Sequence, residues 1–306
     1  MTSITPMTTL QENVHIIPLG HEYDRAIAPF KKLSVDRVYI LSITQRTGKY
    51  AKKMVDRQEY FNKKVIEFFQ KKIGDNENVQ YREVELFDLH KVMTELSAII
   101  KAEKGNRVQI NMSACGRKTS IGVALAGMAH GADVYYVSAE DYSLTEKEFW
   151  EHGLSKCEEG KVFKFENFKF GLPDDDSRKI LVKLYREKFE KKRERIPSTE
   201  IRDFLHDKKV EGFEIKLAGI DKSTKTIQND DGTPLLNFSG APHLNRDRKI
   251  VYRRDKRDET IAQNIKLETK YLRELEKDGY IKREKVGREY RISITDSGEY
   301  VACISF

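Results

Sequence analysis

A regular alternation of short apolar runs with amphipathic stretches between residues 14 and 138 is the strongest constraint on the fold. Apolar runs of this length predict β-strands, and the amphipathic stretches predict helices. The predicted strands are Val14–Leu19, Arg37–Ile43, Val79–Leu86, Val108–Met112 and Val134–Val137. The predicted helices are Glu22–Leu33, Gln58–Ile73, Leu89–Ala102 and Lys118–His130. Because this alternation needs right-handed crossovers, the sequence predicts an α/β fold with a Rossmann-like, mostly parallel sheet.

The segment at residues 172–177 predicts a domain boundary. It combines Pro173 with an acidic run and with residues that commonly begin a helix. A further strand is predicted just before it, at Lys161–Phe165. We therefore expect one domain at residues 1–172 and a second at residues 173–306. Residues 209–249 are rich in Gly, Asn, Asp and Lys and too long for an ordinary loop, so we interpret them as an insert.

The turn after the first predicted strand lacks the glycine pattern of dinucleotide-binding proteins. It reads PLGHEYDR from Pro18 to Arg25, and no Walker-type phosphate loop occurs in the chain. These absences disfavour the common NAD and ATP enzymes. No Ser/His/Asp or Cys/His arrangement stands out either, so we assign no catalytic residue.

The overall charge permits a polyanionic partner. The formal net charge is +7 and the isoelectric point is near 9.0, and basic surface attracts nucleic acid. Cys115, Cys157 and Cys303 lack metal-ligand spacing, so we expect no metal site and a reducing compartment. No apolar run is long enough to span a bilayer, and the polar start does not resemble a signal peptide. We therefore expect a cytoplasmic protein without a membrane partner.

A turn of small residues joins the fourth predicted strand to the fourth predicted helix. Small residues let a ligand approach the backbone closely, and a helix N-terminus favours anions. An amide in this turn could fix its shape or bind a base edge, a hydroxyl could donate a hydrogen bond, and the two cations could neutralise phosphate. The candidate ligand-binding residues here are Asn111, Ser113, Ala114, Cys115, Gly116, Arg117 and Lys118.

Two further turns should lie beside it, because the carboxyl ends of parallel strands meet at one edge of the sheet. The turn after the first strand contributes Gly20, His21, Glu22, Asp24 and Arg25, and the turn after the second contributes Thr44. Acid–base chemistry by the histidine and the carboxylates is conceivable at this edge. The alternative is that the small residues serve only close packing and that the cations are a solvated first helical turn.

The chain ends in a pattern typical of a winged helix, from about Thr260 to Val301. A helix of period 3.6 is predicted to end at Gly279, a left-handed C-terminal cap, and two alternating strands then flank a basic, glycine-containing hairpin. The apolar residues predicted to form one buried stripe on the helix are Ile261, Ile265, Tyr271, Leu272 and Leu275. The preceding helix is either Ser198–Leu205, which we favour, or a short segment near Asp258.

The second helix of a helix-turn-helix enters the major groove of double-stranded DNA. Gln and Asn can bind adenine, Lys and Arg can bind guanine or phosphate, and wing residues contact the backbone or the minor groove. The candidate DNA-binding residues are Gln263, Asn264, Lys266, Thr269, Lys270 and Arg273 on the helix and Lys285 and Arg288 on the wing. The alternative is a winged helix that binds protein or mediates dimerisation.

Two segments resemble a known family. Val14–Arg25 resembles the opening of archaeal CARF (CRISPR-associated Rossmann fold) domains fused to a C-terminal winged helix-turn-helix, and Asn111–Gly116 resembles their second motif. The sequence departs from the family pattern at Ala114 and Cys115, where glycine is usual. The resemblance implies a homodimeric CARF-like sensor that binds cyclic oligoadenylate, here expected to be cyclic tetraadenylate, across its two-fold axis, with no cofactor.

The expected function is therefore that of a ligand-controlled, DNA-binding transcriptional regulator. Some relatives cleave the ring that they bind, which needs only an aligned 2′-hydroxyl and stabilisation of charge at the phosphate. A slow, metal-independent ring nuclease is accordingly the alternative enzymatic function.

Overall fold

The structure is a computed structural model that describes residues 11–43, 50–165, 171–213, 242–244, 250–252, 256–287 and 289–306; for residues 242–244, 250–252 and 256–259 it describes the backbone only. The chain divides into two compact units, Met1–Leu172 with Tyr300–Phe306, and Pro173–Glu299. Within the described ranges, no helix has both the length and the apolar character needed to cross a membrane.

The first unit is an α/β structure. Its strands are β1 (Asn13–Pro18), β2 (Arg37–Ser42), β3 (Val79–Glu83), β4 (Arg107–Asn111), β5 (Asp133–Val137), β6 (Asp141–Tyr142), β7 (Ser155–Lys156) and β8 (Val162–Lys164). Its helices are α1 (Tyr23–Ile27), a 3₁₀ turn (Ala28–Lys31), α2 (Lys52–Ile73), α3 (Leu89–Ala102), α4 (Arg117–His130) and α5 (Glu146–His152).

The main sheet has the strand order β3-β2-β1-β4-β5-β8. The first five strands are parallel, and Ile16 of β1 lies between Tyr39 of β2 and Ile110 of β4. Strand β8 pairs with β5 in the antiparallel direction. The predicted mostly parallel sheet is confirmed, and the strand predicted at Lys161–Phe165 is its antiparallel edge.

Both faces of the sheet are covered, which explains why its central strands are apolar throughout. On one face Ile17 and Ile40 pack with Phe69 of α2. On the other face Ile16 packs with Leu96 of α3 and Val123 of α4. Because all five parallel strands point the same way, the turns that follow them meet at one edge of the sheet.

The helix predicted at Glu22–Leu33 is shorter in the structure. Helix α1 ends at Ile27 and continues as the 3₁₀ turn that contains Pro29. Proline has no N–H group to donate to the carbonyl four residues earlier, so a regular α-helix cannot continue through Pro29. Helix α2 shows the opposite difference, since it begins at Lys52, six residues before its predicted start at Gln58.

The second unit contains the winged helix. Its elements are α6 (Asp175–Phe189), β9 (Ile196–Pro197), α7 (Ser198–Asp207), β10 (Pro242–Leu244), β11 (Ile250–Tyr252), α8 (Lys256–Lys266), a π-helical segment (Leu267–Leu272), α9 (Arg273–Lys277), β12 (Ile281–Val286), β13 (Glu289–Ile294) and α10 (Asp296–Ser305), whose last residues belong to the first unit. Strands β12, β13 and β9 form an antiparallel sheet in that order. Most of the predicted insert at 209–249 lies outside the described residues.

Helix α8, the π-helical segment and α9 form one continuous helix, which carries most of the predicted DNA-binding residues and is called the recognition helix below. Leu267, Tyr271, Leu272 and Leu275 are buried, but Ile261 is 48% exposed and Ile265 is 58% exposed. The prediction that the two isoleucines belong to the buried stripe is therefore wrong. The π-type i→i+5 hydrogen bonds place more residues in each turn than an α-helix does. A 3.6-residue period counted back from Tyr271 through this segment therefore predicts the wrong buried face for the residues before it.

Candidate ligand site and nucleic-acid surface

Hydrogen bonds of Asn111 and Ser113 shape the turn after β4. The Oδ1 atom of Asn111 accepts from Ser113 N at 2.9 Å and from Ser113 Oγ at 2.6 Å. Ser113 Oγ in turn accepts from Val137 N of β5 at 3.0 Å. The Nδ2 atom of Asn111 donates to the carbonyl of Arg25 at 2.9 Å. Both side chains are buried, so the structure places them behind the turn, where they fix its shape.

The turns after β1 and β4 are joined directly through their backbones. Gly20 N donates to Ala114 O at 2.7 Å, and a Cβ atom at Gly20 would lie 3.4 Å from that oxygen. Ala114 is fully buried against the same core face as Ile17. Two of the sequence-predicted turns are thus held together as one surface at the edge of the sheet.

A cavity of about 170 Å³ opens at this edge. Five of the predicted ligand-binding residues contribute to its walls, and the remaining lining is mainly apolar. The predicted residues in the wall are Gly20, His21, Glu22, Cys115 and Gly116. The others are Ile43, Met54, Gln58, Leu86, Phe87, Thr119 and Leu154. Apolar walls with a few polar groups are the usual lining of a small-molecule site.

Burial sets the protonation of the polar groups in the cavity wall. It lowers the pKa of His21 and raises the pKa of Glu22, although Arg25 offsets part of the second shift. Burial also raises the pKa of the Cys115 thiol to about 12, so this cysteine is a neutral thiol and not a thiolate nucleophile at pH 7. Ser155 Oγ donates to Glu22 Oε1 at 3.2 Å.

Asp24 and Arg25 are not among the residues that line the cavity. Asp24 Oδ2 accepts from His152 Nδ1 at 2.9 Å and from Cys157 N at 3.1 Å, which ties α1 to the segment that follows α5. Arg25 lies 3.5 Å from Glu22, and its guanidinium lies 5.4 Å from the centre of the Tyr136 ring. Both side chains therefore stabilise the turn after β1 without lining the cavity.

Arg117 and Lys118 are exposed in the first turn of α4. Gly116 is the N-cap residue of this helix, and no side chain caps it. Free N–H groups and two cations at a helix N-terminus form an arrangement that favours an anion. Thr44, the remaining predicted ligand residue, lies outside the described residues. No group of His, Cys, Asp and Glu that could hold a metal ion occurs in the described part of the chain.

Sequence reasoning missed Gln58, which lines the cavity from α2. Its Nε2 donates to Leu19 O at 3.0 Å and to Asn62 Oδ1 at 2.9 Å, and the residue is buried. A polar residue in an amphipathic helix usually faces solvent, so only its i,i+4 spacing from Asn62 could have indicated a buried polar pair. Leu154 was missed for another reason, because its position in the wall depends on a long-range backbone hydrogen bond from Leu154 N to His21 O of 2.8 Å.

The predicted DNA-binding residues separate into an exposed and a buried group. The exposed ones are Asn264, Thr269, Lys270, Arg273 and Lys285. Lys266 is half-buried, and its Nζ donates to Glu211 O at 2.5 Å. Gln263 is buried, and its Nε2 donates to Phe213 O at 2.9 Å. The prediction that Gln263 binds a base is therefore corrected, because its amide already pairs inside the domain. Arg288 lies outside the described residues.

The wing is tied to the recognition helix by an ion-pair cluster. Arg283 of β12 donates from Nε to Glu276 Oε2 at 2.8 Å, and it also pairs with Glu268 of the π-helical segment. The two carboxylates raise the pKa of this guanidinium further above its ordinary value. Arg283 thus fixes the wing relative to the helix, while Lys285 remains exposed farther along the same strand.

Family models match both parts of the chain. The model described as "HFX_2341_N:-like, N-terminal" matches residues 13–142. The model described as "DUF6293 C-terminal winged helix domain" matches residues 176–306. No curated protein matches the chain.

Solved structures match the chain at low identity. Enterococcus italicus Csm6 bound to cyclic hexa-2'-fluoro-hexa-dAMP is 11% identical with a TM-score of 0.38, over 65% of this chain and 51% of that chain. Can2 from Sulfobacillus thermosulfidooxidans in complex with cyclic tetra-adenylate is 9% identical with a TM-score of 0.33, over 64% and 52%. Protein VC1899 from Vibrio cholerae is 11% identical with a TM-score of 0.31, over 95% and 64%.

The matched part covers about half the length of the first two of these structures. The two family models together agree with the two-part composition expected from the sequence, an α/β domain followed by a winged helix. The chain is therefore similar to HFX_2341_N-like domains over residues 13–142 and to DUF6293 C-terminal winged-helix domains over residues 176–306.

Proposed function

We propose that the protein is a DNA-binding transcriptional regulator controlled by cyclic oligoadenylate, with the N-terminal domain acting as a CARF-like sensor. The observation that carries this proposal is the cavity at the carboxyl edge of the sheet, which lies beside the uncapped N-terminus of α4. The ligand class comes from the resemblance of the β1 and β4 turns to CARF motifs. The division into residues 1–172 as sensor and 173–306 as DNA-binding domain is part of the same proposal.

The site offers one environment for a base and another for a phosphate. Ile43, Leu86 and Phe87 give the cavity apolar walls against which a flat ring can pack. The free N–H groups at the start of α4, together with Arg117 and Lys118, favour the phosphate that follows the base. Gly20 and Gly116 have no side chain, so they leave the backbone accessible between these two environments.

A second copy of the chain would supply a second cavity for another base of a cyclic tetraadenylate. A cavity of about 170 Å³ can hold one base, whereas the ring carries four. Tyr142 and Leu144 are 62% and 85% exposed next to Leu154 in the β6–β7 segment, and Leu154 belongs to the cavity wall. Apolar side chains exposed beside a ligand site fit a self-association surface. We therefore propose a homodimer with the ring bound across the two-fold axis.

Ligand binding would act on DNA through a shift in population. A ring bound by both protomers would stabilise one arrangement of the dimer, and so one spacing of the two recognition helices. Because operator half-sites have a fixed spacing, affinity for DNA would change with that arrangement. The exposed Asn264, Lys270 and Arg273 on the recognition helix and Lys285 on the wing would contact the DNA.

The test is calorimetric titration with cyclic tri-, tetra- and hexaadenylate, combined with chromatography of each mixture. We expect saturable binding of one ring per dimer. The double variant Arg117→Ala/Lys118→Ala should bind the ring at least about tenfold more weakly, since two charge-assisted phosphate contacts are lost. Lys71→Ala/Lys72→Ala is the matched control, because it removes two charges at the end of α2, at the opposite edge of the sheet. Equal loss in both variants, or no binding of any ring, would contradict the proposed sensor.

Ring cleavage is the second candidate function, and the position of His21 favours it. This histidine lines the cavity, and burial lowers its pKa, so that it is neutral and able to accept a proton at pH 7. It could take the proton of a ligand 2′-hydroxyl as that oxygen attacks the adjacent phosphate. The bond from phosphorus to the 5′-oxygen then breaks, the 5′-oxygen takes up a proton from water, and the ring opens as a 2′,3′-cyclic phosphate. Linear products formed by the unmodified protein but not by His21→Ala would establish this activity.

A further inference from the structure

An exposed stripe of four residues runs along the recognition helix. Its members are spaced by four residues, and all of them are exposed: Ile261, Ile265, Thr269 and Arg273. The first two are isoleucines that lie one helical turn apart, and their side chains are 48% and 58% exposed. No side chain of the buried face, which includes Leu267, Tyr271 and Leu275, belongs to this stripe.

The π-helical segment keeps the stripe straight. In an α-helix a spacing of four residues advances about 40° beyond a full turn, so such a stripe would drift around the helix. The wider π turn at Leu267–Leu272 removes part of that drift, because more residues fit into each turn. Thr269 lies inside this segment, between Ile265 and Arg273. The local backbone geometry therefore produces one continuous edge on the outer side of the helix.

The chemistry of the edge is apolar with a cation at its end. The hydroxyl of Thr269 donates to Ile265 O at 2.8 Å, so it is already used within the helix and the methyl group is left for contacts outside it. Ile261, Ile265 and Thr269 thus offer alkyl groups but no free hydrogen-bond donor. Arg273 is the cation at the end of the stripe, and Lys270 adds an exposed positive charge beside it. Such an edge is complementary to a partner surface that has methyl groups at its centre and anionic groups along its sides.

We infer that this stripe reads thymine methyl groups in the major groove, which makes Ile261 and Ile265 residues that determine sequence specificity. The inference rests on the proposed DNA-binding function and specifies its base preference. Thymine is the one base that presents a methyl group in the major groove, and apolar side chains recognise it by contact. The phosphates that border the groove match the adjacent cations. The sites selected by the protein should therefore contain A·T pairs at the positions that face the helix.

The experiment separates methyl contacts from other DNA binding. Duplexes enriched by the protein from a random-sequence pool are resynthesised with uracil in place of thymine, which removes only the methyl groups. We expect about fourfold weaker binding for each contacted methyl that is lost, the factor that corresponds to burial of one methyl-sized apolar group. The change is made in the DNA, so it tests the inference on the unmodified, fully folded protein.

Protein variants then locate the contact. Ile261→Ala/Ile265→Ala should bind the thymine and uracil duplexes with nearly equal affinity. Ile121→Ala, which truncates an isoleucine that is 56% exposed on α4, is the matched control and should keep the difference. Equal affinity of the unmodified protein for both duplexes would overturn the inference while leaving DNA binding intact. An altered oligomeric state of the double variant, with an unchanged thymine preference, would overturn it in favour of a self-association surface. A protein that binds none of the duplexes would contradict the proposed function itself.

Discussion

The side-chain amide of Asn111 donates a hydrogen bond of 2.9 Å to the backbone carbonyl of Arg25. In a regular helix that carbonyl would accept from the N–H group of residue 29, but residue 29 is proline and has none. Asn111 therefore supplies the hydrogen bond that Pro29 cannot make. Through this contact the turn after β4 is attached to α1, which follows β1, and the relative position of two turns of the candidate site depends on it.

Replacing Asn111 should destabilise the protein through this carbonyl. Asn111→Ala leaves the Arg25 carbonyl and the Ser113 N–H without their present partner, and we expect a loss of roughly 2–3 kcal/mol in the free energy of unfolding. Pro29→Ala restores an N–H group at the position that can pair with the carbonyl. The cost of Asn111→Ala should therefore be smaller in the Pro29→Ala background, as measured by urea denaturation. Strictly additive costs would show that the two residues do not serve the same carbonyl.

Local signals in the sequence located much of the candidate site, and long-range packing supplied the rest. Gly20 and Gly116 were identified because small residues at the ends of parallel strands are a local pattern, and both line the cavity. The pairing of Asn111 with Arg25 could not be predicted, because it joins residues 86 positions apart and follows from the register of β1 and β4.

The recognition helix shows a different limit of sequence reasoning. Its existence and its end just before Gly279 follow from periodicity and from a glycine that adopts a positive φ of 78°. The orientation of its first half was predicted incorrectly, because a 3.6-residue period was assumed through a segment that is π-helical. Gln263 was assigned to DNA because it lies near the predicted N-terminal part of this helix, and it is instead a buried donor to Phe213 O.

Gly153 should be essential for the wall of the cavity. It has a φ of +87°, and a Cβ atom there would lie 2.5 Å from His21 O and 2.6 Å from Tyr23 N. Gly153→Ala should therefore displace the β1–α1 turn, lower the free energy of unfolding by roughly 3 kcal/mol and weaken ligand binding.

Gly74→Ala is the matched control for this substitution. Gly74 also has a positive φ, +77°, but a Cβ atom there would have no neighbour within 4 Å, so the cost should be only about 1 kcal/mol, with ligand affinity unchanged. Thermal unfolding and calorimetric titration of both variants measure these effects. Similar losses for the two substitutions would show that backbone strain, and not crowding of the turn, determines the result.

Glu22 should make the free energy of unfolding depend on pH above the ordinary titration range of a carboxyl group. Burial raises the pKa of this carboxyl above its unfolded value, so the folded state binds the proton more tightly than the unfolded state does. The resulting stabilisation is present below the unfolded pKa and is lost as the pH rises through the folded pKa. Glu22→Gln stays neutral, so its melting temperature should exceed that of the unmodified protein by a margin that grows as the pH is raised from about 4 to 8. Glu59→Gln, at an exposed position of α2, is the control and should show no such trend.

Glu187 should produce the opposite dependence in the winged-helix domain. Burial alone would raise its pKa, but hydrogen bonds from Lys183 and Lys191 outweigh that effect and lower the pKa to about 2. The carboxylate is 1% exposed and also pairs with Arg193 at 3.0 Å. Because the folded pKa lies below the unfolded one, the stabilisation is complete above a pH of about 4.5 and is lost as the pH falls towards 2.

Glu187→Gln should therefore lower the free energy of unfolding at pH 7 by roughly 3 kcal/mol, since three cations lose a buried partner. The difference from the unmodified protein should shrink at low pH, where Glu187 itself becomes protonated. Glu190→Gln, at the C-cap of the same helix but 62% exposed, is the control and should change stability by less than about 0.5 kcal/mol. Chemical denaturation of the three proteins at pH 7 and at the lowest pH at which they stay folded provides the measurement. A cost of Glu187→Gln that is independent of pH would mean that its hydrogen-bonding shape, and not its charge, holds the three basic side chains together.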